Sequence, residues 1–151
     1  MPDLTIRPTA QRKADALARL STRHQDAWVA TADGGAAHLV PLSIAWVDER
    51  LVIALDGTSV TARNLAATVR ARVAVGPTRD VVVADVVLEA TLPVADAGEV
   101  GEAYAAQADW DPRASGGTYQ YLVLAPRRIQ AWREADEIAG RTIMRDGAWV
   151  V

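Results

Sequence analysis

The stretch Thr58-Ser59-Val60-Thr61-Ala62-Arg63-Asn64 gathers hydroxyls and a guanidinium along a single turn of chain. Serine is a favoured helix N-cap, and Val60, Leu65 and Val69 are spaced for a short helix over Val60 to Arg70. If Ser59 caps that helix, the amides of Val60 and Thr61 point outward at its positive end. They lie beside the hydroxyls of Thr58, Ser59 and Thr61 and the charge of Arg63, which is the chemistry of a phosphate cradle. The same residues also suit an ordinary capped surface helix with a solvated arginine.

Cofactor-free chemistries find little support. The chain has no cysteine, which removes thiol catalysis, disulfides and thiolate metal sites, so redox chemistry would need a bound organic cofactor. His24 and His38 have no carboxylates at ligand spacing on one evident face, so no metal site is expected. There is no Gly-x-Ser-x-Gly elbow, P-loop or Gly-x-Gly-x-x-Gly fingerprint. Asp109 and Asp111, flanking Trp110 in a Pro-containing stretch, read as turn chemistry. No catalytic residue is assigned. Trp28, Trp46 and Trp149 are assigned to packing, and Trp132 suits packing or an interface.

A net charge of −3 disfavours nucleic acid as a partner. No apolar run is long enough to span a bilayer, and Met1-Pro2-Asp3 does not begin a leader, so a soluble, cytoplasmic protein is expected. At 151 residues and 50% hydrophobic, one domain with one core is expected over 1–151, with 134–151 as a C-terminal tail.

The elements that would position the cradle are mostly strands. Thr9 to Leu20 reads as an amphipathic helix, with Thr9 as a cap and Ala10, Ala14, Leu17 and Leu20 as its apolar stripe. Strands are expected over Ala27 to Ala32, His38 to Val47 and Leu51 to Leu55, joined by short polar turns at Asp33-Gly34-Gly35 and Asp48-Glu49-Arg50. Pro41 should lie at a bulge or sheet edge. Arg72 to Gly76 and Val81 to Leu92 form another hairpin through Gly76-Pro77-Thr78. Asp96 and Glu99 suggest a capping box for a helix to Gln107, and Ala108 to Thr118 is a loop. Tyr119 to Leu124 and Arg128 to Arg133 read as the last two long strands, and Asp146-Gly147 as a hairpin turn. About seven hairpin-linked strands and about three helices favour a small barrel over a parallel sheet.

The order of helix, then His38-Leu39-Val40-Pro41-Leu42-Ser43, then Leu51 to Leu55, then Thr58-Ser59 running into Arg63-Asn64-Leu65, resembles the pyridoxamine 5'-phosphate oxidase-like FMN-binding split-barrel superfamily over about residues 10–133. Ile129-Gln130-Ala131-Trp132-Arg133 and the Gly140 to Trp149 segment are similar to the actinobacterial flavin and deazaflavin branch, some members of which use coenzyme F420. The resemblance implies a mainly β fold, a six-stranded antiparallel split barrel with flanking helices. It also implies a homodimer with a flavin in each groove between subunits. Pro41, Leu42 and Ser43 would border the isoalloxazine, while Ala54, Leu55, Thr58, Ser59, Thr61, Arg63 and Asn64 would surround ribityl and phosphate. Trp132 and Arg133 would reach the other subunit's cofactor. Many relatives carry lysine where this chain has Thr61, so Arg63, or Arg79 from the next hairpin, would have to supply that charge. The function implied is a flavin-dependent oxidoreductase using FMN or coenzyme F420, with a non-catalytic flavin- or haem-binding protein as the alternative. No cluster of basic residues is visible along the chain, so an apolar or weakly charged substrate is expected.

Overall fold

Side chains alternate along β1 (Asp26–Asp33): Ala27, Val29 and Thr31 are buried, whereas Trp28, Ala30 and Ala32 turn to the other face. That period of two sets the inside and outside of a barrel. The computed structural model describes residues 5–151, so the Met1-Pro2-Asp3 segment lies outside the described residues. The strands are β2 (Ala36–Ser43), β3 (Ala45–Val47), β4 (Arg50–Asp56), β5 (Arg70–Val75), β6 (Val81–Pro93), β7 (Tyr119–Trp132), β8 (Thr142–Arg145) and β9 (Ala148–Trp149). All pair antiparallel in the order β2-β1-β5-β6-β7-β4-β3, with the β8–β9 hairpin attached to β7.

Inward residues of these strands, among them Val29, Leu51, Ile53, Val73, Leu124 and Ile129, form the main core. A second cluster lies outside β3, β4 and β7, where Ala45, Val52, Ala54 and Tyr121 are covered by Tyr104 and Ala108 of helix α3 (Glu99–Ala108). Pro41 is on β2, an edge strand that pairs only with β1, the kind of position where a missing N–H is tolerated. The turns at Gly34-Gly35 and Asp146-Gly147 form as expected, the latter with φ of +52° and +79°.

Several expectations are corrected. Tyr119 to Leu124 and Arg128 to Arg133 are not two strands but the single β7, because the ladder with β6 shifts register between Asp85 and Val86 and so carries the chain past Pro126. Helix α1 (Thr9–Leu20) buries Arg12, Ala16 and Leu20, while Ala10 and Ala14 are exposed; Pro8, not Thr9, holds the cap position and makes no side-chain cap. Arg12 can sit inward because its guanidinium donates to the carbonyls of Arg7 at 3.0 Å and Glu137 at 2.9 Å. Helix α2 spans Val60–Thr68 and ends before Arg70, with Val69 in the left-handed region at φ +56°. Of its expected apolar positions only Leu65 is buried; Val60 and Val69 are exposed. Helix α3 is entered from Gly98 at φ +51°, so the Asp96–Glu99 capping box does not form.

The C-terminal segment packs on its own barrel. Ile143 and Met144 join the main core, and Glu137 is buried against Arg7.

Candidate functional site

The N-terminus of α2 follows β4 through Asp56-Gly57-Thr58-Ser59. Gly57 is fixed by close approach: its amide donates to the Thr118 carbonyl at 2.9 Å, and a Cβ there would sit 2.8 Å from Gln120 Oε1. Ser59 caps the helix as its sequence implies, its Oγ accepting from the Ala62 amide at 3.2 Å. The amides of Val60 and Thr61, at the head of the helix, have no carbonyl partner within it. Arg63 is exposed and has no ion-pair partner among the described residues.

Two features run against a strong phosphate seat. The Thr58 hydroxyl and amide both donate to Asp56 Oδ1 at 2.7 Å, and the Thr118 hydroxyl does the same at 2.7 Å. Those bonds, the Thr58 hydroxyl first, hold the Asp56 carboxyl below its ordinary range and fix a negative charge in the turn. Thr61 and Asn64 face the barrel rather than solvent; both are buried, and Asn64 Nδ2 donates to Thr31 Oγ1 at 3.1 Å.

The structure disperses the other candidate residues. Ala54 lies under α3 and Leu55 in the main core. Pro41 is exposed opposite Trp28; Leu42 and Ser43 are half-buried further along β2. Trp28, assigned to packing from the sequence, is 52% exposed, whereas Trp46 and Trp149 do pack against the core. Arg79 forms a two-bond pair with Glu134 at 2.9 Å each, and Arg133 approaches Asp80 at 3.6 Å and Asp15 at 3.9 Å. Trp132 carries Arg141 over its ring at 5.6 Å. Tyr119 pairs with Asp56 beside the α2 seat, whereas Trp132 ends the same strand, opposite Val81. The whole of β7, about 45 Å of extended chain at roughly 3.3 Å per residue, separates them. Within one chain the α2 seat and the Trp132–Arg133 group stay apart.

What the sequence hides is a cleft of about 790 Å³ outside the barrel, between the β1–β2 hairpin, the end of α2 and strands β5 to β7. Ala30, Ala32, Ala37, Val86 and Val87 supply apolar lining, and Arg70, Arg72 and Arg127 line it as well. Arg72 donates to Asp85 Oδ1 at 2.6 Å, and Arg128 holds the other oxygen at 2.7 Å. Burial works to raise the Asp85 pKa, but the two guanidiniums keep it below the usual range. The only sequence signal for this cluster was the alternation of Arg70 and Arg72 with inward Ala71 and Val73.

No family model matches the sequence, and no curated protein matches it. Solved structures do. An F420 reductase superposes with a TM-score of 0.62 at 18% identity, over 74% of this chain and 94% of its own. A haem-binding protein from Mycobacterium smegmatis gives 0.65 at 21% identity, over 95% of this chain and 60% of its own. A protein from Listeria innocua, provisionally assigned as a pyridoxamine 5'-phosphate oxidase, gives 0.61 at 12% identity, over 79% of this chain and 96% of its own. The chain has the split-barrel fold of the pyridoxamine 5'-phosphate oxidase-like proteins. Among the described residues the sheet of this split barrel has nine strands rather than the six expected, the short β3, β8 and β9 making up the difference.

Acid–base groups are scarce near the cleft of the split barrel. Tyr104 and Tyr121 are fully buried, and burial pushes both hydroxyls up; the Tyr121 hydroxyl has no hydrogen-bond partner among the described residues. His38 is half-buried opposite Thr31. Among the described residues no metal-binding cluster of His, Asp or Glu occurs, and no helix is long and apolar enough to cross a membrane.

Proposed function

We propose that this split barrel is a flavin- or deazaflavin-dependent oxidoreductase, a cytoplasmic homodimer that transfers hydride or electrons to or from a small molecule. The observation that carries the reading is the cleft of about 790 Å³, which combines an apolar lining with arginines and whose carboxylate, Asp85, is tied up by Arg72 and Arg128. Such a site binds and orients a flat ligand and leaves the reaction to it. When bound, a flavin or deazaflavin supplies the hydride chemistry. The likeness to an F420 reductase supports the same reading.

The residues at α2 match a phosphate in donors through the Val60 and Thr61 amides, the Ser59 hydroxyl and Arg63, whereas the Thr58 hydroxyl is committed to Asp56. In charge they offer one free cation beside the fixed carboxylate of Asp56. That balance suits a singly charged phosphate better than a dianion. A dimer is supported by the outer sheet face, where Trp28 and Leu39 are 52% and 59% exposed. It is also supported by the placement of Trp132 at the opposite end of β7 from the α2 seat.

A second reading, a non-catalytic flavin or haem carrier, is favoured by the same lack of acid–base groups and by the likeness to a haem-binding protein. Titration of the purified protein with FMN, coenzyme F420 and haemin, followed by absorbance and fluorescence, separates these. The oxidoreductase reading expects saturable binding of FMN or coenzyme F420 and turnover with a reduced nicotinamide or reduced deazaflavin. Arg63→Ala should weaken the bound flavin about tenfold. Binding of haemin alone, without any flavin, refutes the assignment.

A further inference from the structure

Two arginines that line the cleft stand on or beside irregular backbone. Arg127 is the extra residue of a β-bulge: Asp85 pairs with Arg128 and Val86 with Pro126, which leaves Arg127 with no residue opposite. A bulge of this kind redirects a side chain out of the regular ladder. The Gly147 amide donates to the Arg127 carbonyl at 2.8 Å, which ties the bulge to the β8–β9 turn, and Arg127 Nη1 lies close beside Gly147. Arg70 follows Val69, a β-branched residue held at φ +56°, a conformation it adopts only under constraint. The constraint is visible: the Val69 amide donates to Leu65 O at 2.9 Å, and the Val69 carbonyl accepts from Leu88 N at 2.8 Å.

Neither Arg70 nor Arg127 has an acid partner among the described residues, whereas the third arginine of the cleft, Arg72, is held by Asp85. A chain of net charge −3 therefore concentrates unneutralised positive charge at one apolar cleft. We propose that this cleft binds an amphipathic organic anion, its carboxylate, sulfonate or phosphate held between Arg70 and Arg127 and its apolar body lying on Ala30, Ala32, Ala37 and Val87. The binding chemistry stands on the cleft itself. Whether the anion belongs to the cofactor or to the substrate rests on the oxidoreductase reading above.

The test uses the full chain and 8-anilinonaphthalene-1-sulfonate, an apolar sulfonate whose fluorescence rises on binding. Arg70→Gln and Arg127→Gln should each weaken it at least about fivefold, and the double variant about thirtyfold. Arg23→Gln, an exposed cation that pairs with Asp109 away from the cleft, should leave affinity and fold unchanged. The proposal is overturned if the wild type does not bind the probe, or if the double variant binds it as tightly while keeping the wild-type thermal midpoint. FMN and riboflavin, titrated in parallel, identify the source of the anion. Loss of FMN binding with riboflavin unaffected assigns the clamp to the cofactor's phosphate; loss of the sulfonate alone assigns it to a substrate acid. A protein that binds the sulfonate but no flavin, deazaflavin or haem refutes the redox reading and leaves the clamp in place.

Discussion

Replacing Glu137 by glutamine isolates the charge that holds the base of the barrel together. The carboxylate is 2% exposed; its Oε2 accepts from Arg7 N and Nε at 3.0 Å each, and its Oε1 accepts from Arg7 Nη2 and the Arg133 amide at 2.9 Å each. Those bonds, the Arg7 guanidinium first, hold its pKa at about 2, against 4.5 for an ordinary glutamate. At 1.36 kcal/mol per unit, the charged form contributes about 3 kcal/mol to folding at neutral pH. The folded pKa is depressed, so this stability is complete above about pH 5 and is lost as pH falls toward 2. By about pH 3 less than half should remain. Glu137→Gln keeps the shape and removes the charge, leaving Arg7 with Asp15 at 3.0 Å and Asp80 at 3.8 Å as its remaining counter-charges. Urea unfolding of both proteins at pH 7 and pH 3 reads the difference directly, because every other titrating group cancels between them. The expected gap is about 3 kcal/mol at pH 7, shrinking by more than half at pH 3. A gap that is the same at both pH values, or below about 1 kcal/mol at pH 7, refutes the reasoning.

Two further perturbations test packing and association. Gly101→Ala in α3 should raise stability by about 0.5–1 kcal/mol, since alanine is the better helix former; the melting midpoint should rise by roughly 1–4 °C. The new Cβ would meet the Tyr121 hydroxyl at 3.4 Å and Ala97 Cβ at 3.5 Å, both ordinary contacts, and a fall in the midpoint would contradict that geometry. Trp28→Glu puts a charge in the exposed apolar face; analytical ultracentrifugation should show the dimer shifting to monomer with the barrel still folded, and an unchanged dimer would place the interface elsewhere.

The barrel was legible where a single physical rule decides the outcome. Alternation in β1, a proline restricted to an edge in β2, and a serine that caps α2 each follow from local chemistry, and each stands in the structure. The misreadings occur where partners distant in sequence decide. Arg12 turns inward because Glu137 and Arg7 offer it carbonyls, and nothing near Arg12 in the chain announces them. β7 runs through Pro126 because β6 shifts register beside it. Val60 and Val69 look like core positions at helical spacing, yet Thr61 and Asn64 take the inward face, Asn64 finding Thr31 on another element. The cleft was invisible for the same reason. Arg70 and Arg127 are far apart in the chain, and the place of Arg127 depends on a bulge that only the paired strands create.

The bond between Arg7 and Glu137 joins residues 130 positions apart. During synthesis Arg7 and Arg12 therefore leave the ribosome with only Asp15 close by in the chain, and the carboxylate that completes their surroundings follows some 130 residues later. Hydrophobic collapse of the early hairpins can proceed, but closure of the barrel base waits for the segment that carries Glu137. Chains that terminate before Glu137 should stay open at that end and be removed by proteolysis rather than accumulate.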